Sequence, residues 1–210
     1  MTKILFSGDS ITDCCRARNM DRMLFEGYLG HGYATLITSR LGYENPGQYA
    51  FFNRGIAGAR LCHLREHLQT DVIDLKPDVL SVLIGINDVW ETVAGNQMSA
   101  ALFEEQYEGF LSDVFSALPD VKLIVMEPFV HKGAGTAEKW DAIRACTDEF
   151  AVIVRKIAKK RGVPCLPMQK LFDDALGHCQ PEELTCEGFH PTPAGHELIA
   201  RAWIDVFNKL

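Results

Sequence analysis

The sequence predicts an α/β fold: a parallel sheet of about five strands with helices on both faces. Three observations predict it. Short apolar runs, partly β-branched and apolar on both faces, have the composition of buried parallel strands. Longer amphipathic segments with a helical period separate them. The two kinds of segment alternate along the chain, and such alternation makes βαβ units with right-handed crossovers.

Each element has its own signal. Residues 4–7 open the sheet. Residues 33–41 read as a helix stopped by Gly42. Residues 50–53 form the second strand. Residues 61–75 form a helix that ends before Lys76-Pro77, because a residue preceding proline avoids the α region. Residues 79–84 form the third strand. Residues 103–118 place Phe103, Tyr107, Phe110, Leu111, Val114 and Leu118 at helical spacing and stop at Pro119. Residues 123–126 form the fourth strand. Residues 137–161 put Ile143, Phe150, Ile153, Val154 and Ile157 on one face and end at Gly162. Residues 163–166 form the fifth strand. Residues 192–208 close the chain, with Leu198, Ile199, Ala202, Trp203 and Val206 inward. No repeat, low-complexity tract or Pro/Ser-rich linker divides the 210 residues, so residues 1–210 read as a single domain.

Composition narrows the function. Hydrophobic residues at 47% and charged residues at 23% exclude a disordered chain. Lys+Arg 21 against Asp+Glu 28 leaves a net charge of −7 with no basic run, which disfavours nucleic acid and anionic membranes as partners. Seven cysteines, with Cys14 and Cys15 adjacent, do not suit a disulfide framework; reduced thiols in a reducing compartment fit better. Cys62, Cys146 and Cys165 read as small hydrophobes. The apolar run after Lys3 is too short for a signal peptide and is interrupted by Asp9, and no run reaches the length of a membrane span. A cytoplasmic protein is expected.

In a parallel sheet of this kind, function collects in the loops beyond the carboxyl ends of the strands. Gly8-Asp9-Ser10-Ile11-Thr12 follows the first strand and exposes Ser10 at that edge. The same residues also suit a strand-to-helix turn with Asp9 or Ser10 as N-cap. The spacing is not that of a phosphate loop. The second strand leads into Asn53-Arg54-Gly55-Ile56-Ala57-Gly58, where Gly58 permits close backbone approach or simply opens the next helix. The third leads into Gly85-Ile86-Asn87-Asp88, which presents the Asn87 amide or caps a turn. Residues 133–136, after the fourth strand, border the same edge by topology alone. Before the last helix, Glu187-Gly188-Phe189-His190-Pro191 sets a carboxylate three residues from an imidazole, the support that a general-base histidine needs. His178, Cys179, Cys186 and His190 are of types that suit zinc, but they lack paired-ligand spacing, so no metal is expected. Together the loops supply a nucleophile, a base with its acid, and oxyanion donors, the roles of acyl transfer.

These blocks, in order and spacing, resemble the GDSL/SGNH hydrolase superfamily. The resemblance implies a flavodoxin-like three-layer α/β/α sandwich, with Ser10 as nucleophile and His190 as base. It assigns the oxyanion hole to the backbone N–H groups of Ser10 and Gly58 and the side-chain amide of Asn87. The family's usual Asp is Glu187 here, so either Glu187 or a backbone carbonyl orients His190. Ser10 to Cys14 with Arg16 and Arg18, Ile84 to Trp90, and His190-Pro191 through His196 further resemble the intracellular acetylxylan-esterase branch. That implies an esterase acting on acetylated sugars or xylo-oligosaccharides, without cofactor and as a homo-oligomer. Asp9, Trp90 and Arg54 are candidate substrate contacts; Trp90 also reads as a core aromatic and Arg54 as a solvated charge. A lysophospholipase, thioesterase or aryl esterase would share the machinery, while a binding domain on the same fold would not need Ser10, Asn87 and His190 intact.

Overall fold

The computed structural model describes residues 1–18 and 28–210. Strands β1 (Thr2–Gly8), β2 (Tyr49–Asn53), β3 (Val79–Leu83), β4 (Lys122–Met126) and β5 (Cys165–Leu166) form one sheet in the order β2-β1-β3-β4-β5. Every pairing is parallel, as the unbroken apolar runs require. The chain turns one way from β1 to β2 and the other way to β3, so β1 and β3 flank the switch point of the fold. The register pairs Gly8 with Leu83 and Leu83 with Met126, so successive strands end level with one another.

Helices α1 (Ser10–Asp13), α2 (Tyr33–Glu44), α3 (Leu61–Glu66), α4 (Ile86–Val93), α5 (Ala100–Ala117), α6 (Trp140–Arg161), α7 (Met168–Ala175), α8 (Pro181–Leu184) and α9 (Pro193–Phe207) cover the sheet. Phe103 of α5 stacks on Phe150 of α6 at 4.1 Å on one side. Helix α9 packs with α2 and docks through Trp203. The Trp203 ring lies 5.5 Å from that of Phe6, and its Nε1 donates to Ser81 Oγ at 2.9 Å. Phe6 and Ser81 are register partners on β1 and β3, so one fully buried indole pins α9 across both strands.

The structure departs from the expected elements where packing overrides local signals. Helix α2 continues through Gly42 to Glu44; Gly42 lies in open space, and the ~1 kcal/mol propensity cost of glycine is met by the buried face. The helix expected over 61–75 breaks after Glu66 and resumes as a wide turn over Gln69–Ile73. Residues 137–139 form a 3₁₀ turn before α6, and the fifth strand is only two residues long. Helix α4 begins directly at Ile86, where the sequence suggested a loop.

Two carboxyls are buried beneath the active edge. Asp9, 1% exposed, is the N-cap of α1 and accepts from Ile11 N at 3.0 Å. Asp88, fully buried in α4, shares the N–H of Leu61 between its two oxygens at 3.3 and 3.4 Å. Burial pushes both carboxyls up to about 7, and the charge of Asp88 adds to the rise at Asp9.

Two outcomes follow. Trp203→Ala is expected to cost about 3–5 kcal/mol in urea unfolding; a loss under ~1 kcal/mol would show that α9 docks by other means. Between pH 4 and 7 the folded protein holds the Asp9 proton more tightly than the unfolded chain does, so this group lowers stability as pH rises. Asp9→Asn keeps the cap and removes that titration. Its stability relative to the parent should therefore climb between about pH 4.5 and about pH 7.5, and a flat difference would refute the shift.

Candidate active site

The first element of the site is the turn at the end of β1. Asp9 caps α1, and Ser10 is its first helical residue. Both sequence readings of this block therefore hold at once: the turn is capped, and the cap presents the serine. Ser10 Oγ lies 2.8 Å from His190 Nε2. The other ring nitrogen, Nδ1, pairs with Glu187 Oε1. With Nδ1–H donated to the carboxylate, Nε2 is left to accept the Ser10 hydroxyl. The Glu187 side chain thus reaches the imidazole despite its extra methylene.

The loop bearing Glu187 and His190 is held by the segment after β4. His131 N donates to Gly188 O at 2.6 Å, and Gly135 N donates to Glu187 O at 2.8 Å. Gly188 has φ +119, and a Cβ there would lie 2.7 Å from His131 O. A Cβ on Gly133 would meet the Glu187 carbonyl carbon at 2.7 Å. Only glycines let the two loops approach this closely. On the other side, Cys186 N donates to His190 O at 2.8 Å, and Thr192 caps α9 by accepting from Gly195 N. Residues 133–136, placed in the sequence by topology alone, therefore support the loop that bears Glu187 and His190.

Gly58 and Asn87 meet through the residue between them. Gly58 has φ +76 and open space on its Cβ side. Asn87 Nδ2 donates to Ala59 O at 2.9 Å, so the amide lies against the Gly58 loop. That loop is also tied to α1. Asp13 Oδ2 accepts from Ala57 N at 3.0 Å, and Asn53 donates to Thr12 O at 2.6 Å while accepting from Gly55 N at 2.8 Å. Asn53 and Asp13 are both nearly fully buried. Sequence reasoning gave neither a role; buried polar side chains at a strand end are the signal that marks them.

A cleft of about 610 Å³ opens over Ser10, Ile11 and His190 and runs on to Cys14, His31 and His196. His196, 5% exposed, accepts from Tyr33 N at 3.1 Å through Nδ1, which directs its Nε2–H toward Cys14 Sγ at 3.5 Å. Burial lowers His196 to about 4 and pushes the Cys14 thiol up, so both stay neutral near pH 7. All seven thiols are free, and Cys14, Cys15 and Cys186 line the cleft.

None of the three candidate substrate contacts lines this cleft. Asp9 is buried and engaged as a cap, and its side chain is not part of the cleft wall. Arg54 lies outside the cleft lining, its Nε 3.8 Å from Asp71. Trp90 packs edge-on against Phe189 at 5.3 Å, and Phe189 lies 4.5 Å from the His190 ring. Its contact with the site is through Phe189. Among the described residues, no helix is long and apolar enough to cross a membrane.

A hydroxyl, an imidazole and a carboxylate in series can deprotonate the hydroxyl as it attacks a carbonyl carbon. Comparison with known proteins gives the family. The model of the GDSL-like lipase/acylhydrolase family matches residues 6–198. An acetylxylan esterase from Geobacillus stearothermophilus is 35% identical over 206 residues, covering 96% of this chain and 92% of that protein. A crystal structure of a catalytic mutant of that organism's acetylxylan esterase superposes with a TM-score of 0.84 at 31% identity, covering 97% of this chain and 93% of the other. An alpha/beta hydrolase from the metagenome of Lake Arreo, Spain, gives a TM-score of 0.83 at 28% identity, covering 98% and 94%. Matched along nearly its whole length in sequence and in fold, the chain belongs to the GDSL-like lipase/acylhydrolase family and is a carboxylic ester hydrolase.

Proposed function

We propose that this esterase removes acetyl groups from acetylated saccharides, with Ser10, His190 and Glu187 acting as a triad through an acyl-enzyme. The observation that carries the reading is the unbroken series of contacts from Ser10 Oγ through His190 to Glu187. The relatives support it. Structures of the Geobacillus stearothermophilus enzyme include catalytic mutants at a serine, an aspartate and a histidine, and it is described as an acetyl-xylooligosaccharide esterase. Ser10, Glu187 and His190 take the corresponding roles here, with Glu in place of Asp.

Ser10 Oγ attacks the ester carbonyl carbon while His190 Nε2 takes its proton. The charge that develops on the carbonyl oxygen is met by the N–H groups of Ser10 and Gly58 and by the Asn87 amide. One amide hydrogen of Asn87 is given to Ala59 O, leaving the second for the oxyanion. As the first helical residue, Ser10 has an N–H with no acceptor in a preceding turn. A donor of this kind is worth about 3 kcal/mol in comparable sites. His190 then gives that proton to the departing sugar oxygen as its bond to the carbonyl carbon breaks, and the sugar leaves as the alcohol. A water, losing its proton to His190, attacks the acetyl-enzyme, and acetate leaves as Ser10 recovers its proton. The Glu187 carboxylate stabilises the imidazolium in both halves.

Ser10→Ala is expected to lower kcat on 4-nitrophenyl acetate by about 10⁴-fold or more, and a parental rate would overturn the triad. Glu187→Ala should cost on the order of 10³–10⁴-fold, with Glu187→Asp far closer to the parent. Substrate class is read from acetate release on acetylated xylo-oligosaccharides and from a series of acyl-chain lengths. An acetyl optimum supports the reading; an optimum at long acyl chains would replace it with a lipid-directed one.

A further inference from the structure

We infer that Asp88 is a positioning residue for the oxyanion donors: its buried carboxylate ties the loop that carries Gly58 to the helix that carries Asn87. The inference rests on the proposed role of Gly58 and Asn87.

Asp88 is fully buried, yet among the described residues its carboxylate takes a hydrogen bond from one backbone group outside its own residue, the N–H of Leu61. Leu61 is the first residue of α3 and lies three positions after Gly58. Its side chain is itself buried, so its N–H has no route to water. The preceding residue, Asn87, holds Ala59 O. Two consecutive residues of α4 therefore grip the loop on either side of Arg60. On its other flank the loop is held to α1 by Ala57 N on Asp13 and to β1 by Ile56 N on Gly8 O. Gly58, in the left-handed region with open space around its α-carbon, lies between these two sets of ties.

A carboxyl buried this completely with one shared donor is costly, and a neutral side chain could fill the same space. What the carboxyl adds is an acceptor for Leu61 N at the point where α3 must start. Release of that N–H lets the segment from Gly58 to Leu61 shift, and with it the Gly58 N–H and the acceptor on which the Asn87 amide is aligned. The oxyanion forms only in the transition state, so misplacement of its donors lowers kcat and leaves ground-state binding of a small ester unchanged.

The test is a double-mutant cycle on purified enzyme with 4-nitrophenyl acetate. Asp88→Ala is expected to lower kcat about tenfold, a fraction of what a lost oxyanion donor costs, with KM held within about twofold. Asp88→Asn, whose carbonyl still accepts from Leu61 N, should recover most of the loss. In an Asn87→Ala background, Asp88→Ala should cost only about threefold more, because one of the two donors it serves is gone. Asp88→Ser replaces Asp88→Ala if the latter does not fold, since its hydroxyl is too short to reach Leu61. An equal loss in both backgrounds, a loss carried by KM, or parental kcat in the deletion variant would overturn the inference while leaving the oxyanion reading in place. Parental kcat in Asn87→Ala alone would overturn the oxyanion reading and the inference with it.

Discussion

Everything at the active edge depends on how closely β1 and β3 lie together at their carboxyl ends. Gly8 is paired with Leu83, and a Cβ on Gly8 would stand 2.2 Å from Leu83 O and 2.4 Å from Thr12 Oγ1. No side chain fits there. With none, the chain leaves β1 directly into α1, and Ser10 emerges two residues past the strand. Four residues beyond Leu83 stands Asn87. The parallel register thus puts the serine and the amide on neighbouring exits of one sheet, and every other part of the site is fastened to that pair.

The fastening is done by buried polar groups and by glycine. Asp9 holds the start of α1, Asp13 and Asn53 hold the loop after β2 against α1, and Asp88 holds the start of α3. Such groups are expensive to bury and are retained here with hydrogen-bond partners. On the acid–base side the work falls to Gly133, Gly135 and Gly188, which bring the loop after β4 to backbone contact with Glu187. The result is a floor below a serine and an imidazole that line the cleft, with the Glu187 carboxylate behind the imidazole.

Much of the fold was legible because parallel strands and amphipathic helices write their burial into periodicity. The strand at residues 79–83 is apolar except for Ser81 and fully buried; the helix with Phe103, Tyr107, Phe110, Leu111 and Val114 inward is α5. The errors arose where burial overrides a local stop, as at Gly42, or where a short element has too few residues to show a period, as at α1, α7 and α8. Ser10, Glu187 and His190 were legible from residue types and spacing. For Asp9, Arg54 and Trp90 the sequence left the surroundings open, since residue type does not say whether a carboxylate faces a ligand or an amide, or a guanidinium faces a cleft or Asp71.

By itself the sequence determined the five strands, the long helices between them and the residue types of each loop, because all of these are local in the chain. Tertiary structure alone decided that residues 180 positions apart, Ser10 and His190, come within 2.8 Å. It also decided that residues 133–136 support the loop of Glu187 and His190 and that Cys14 and His196 meet in the cleft. The physical reason is the same in each case: these contacts are set by the register of the sheet and the docking of α9 through Trp203, distances that no local propensity encodes.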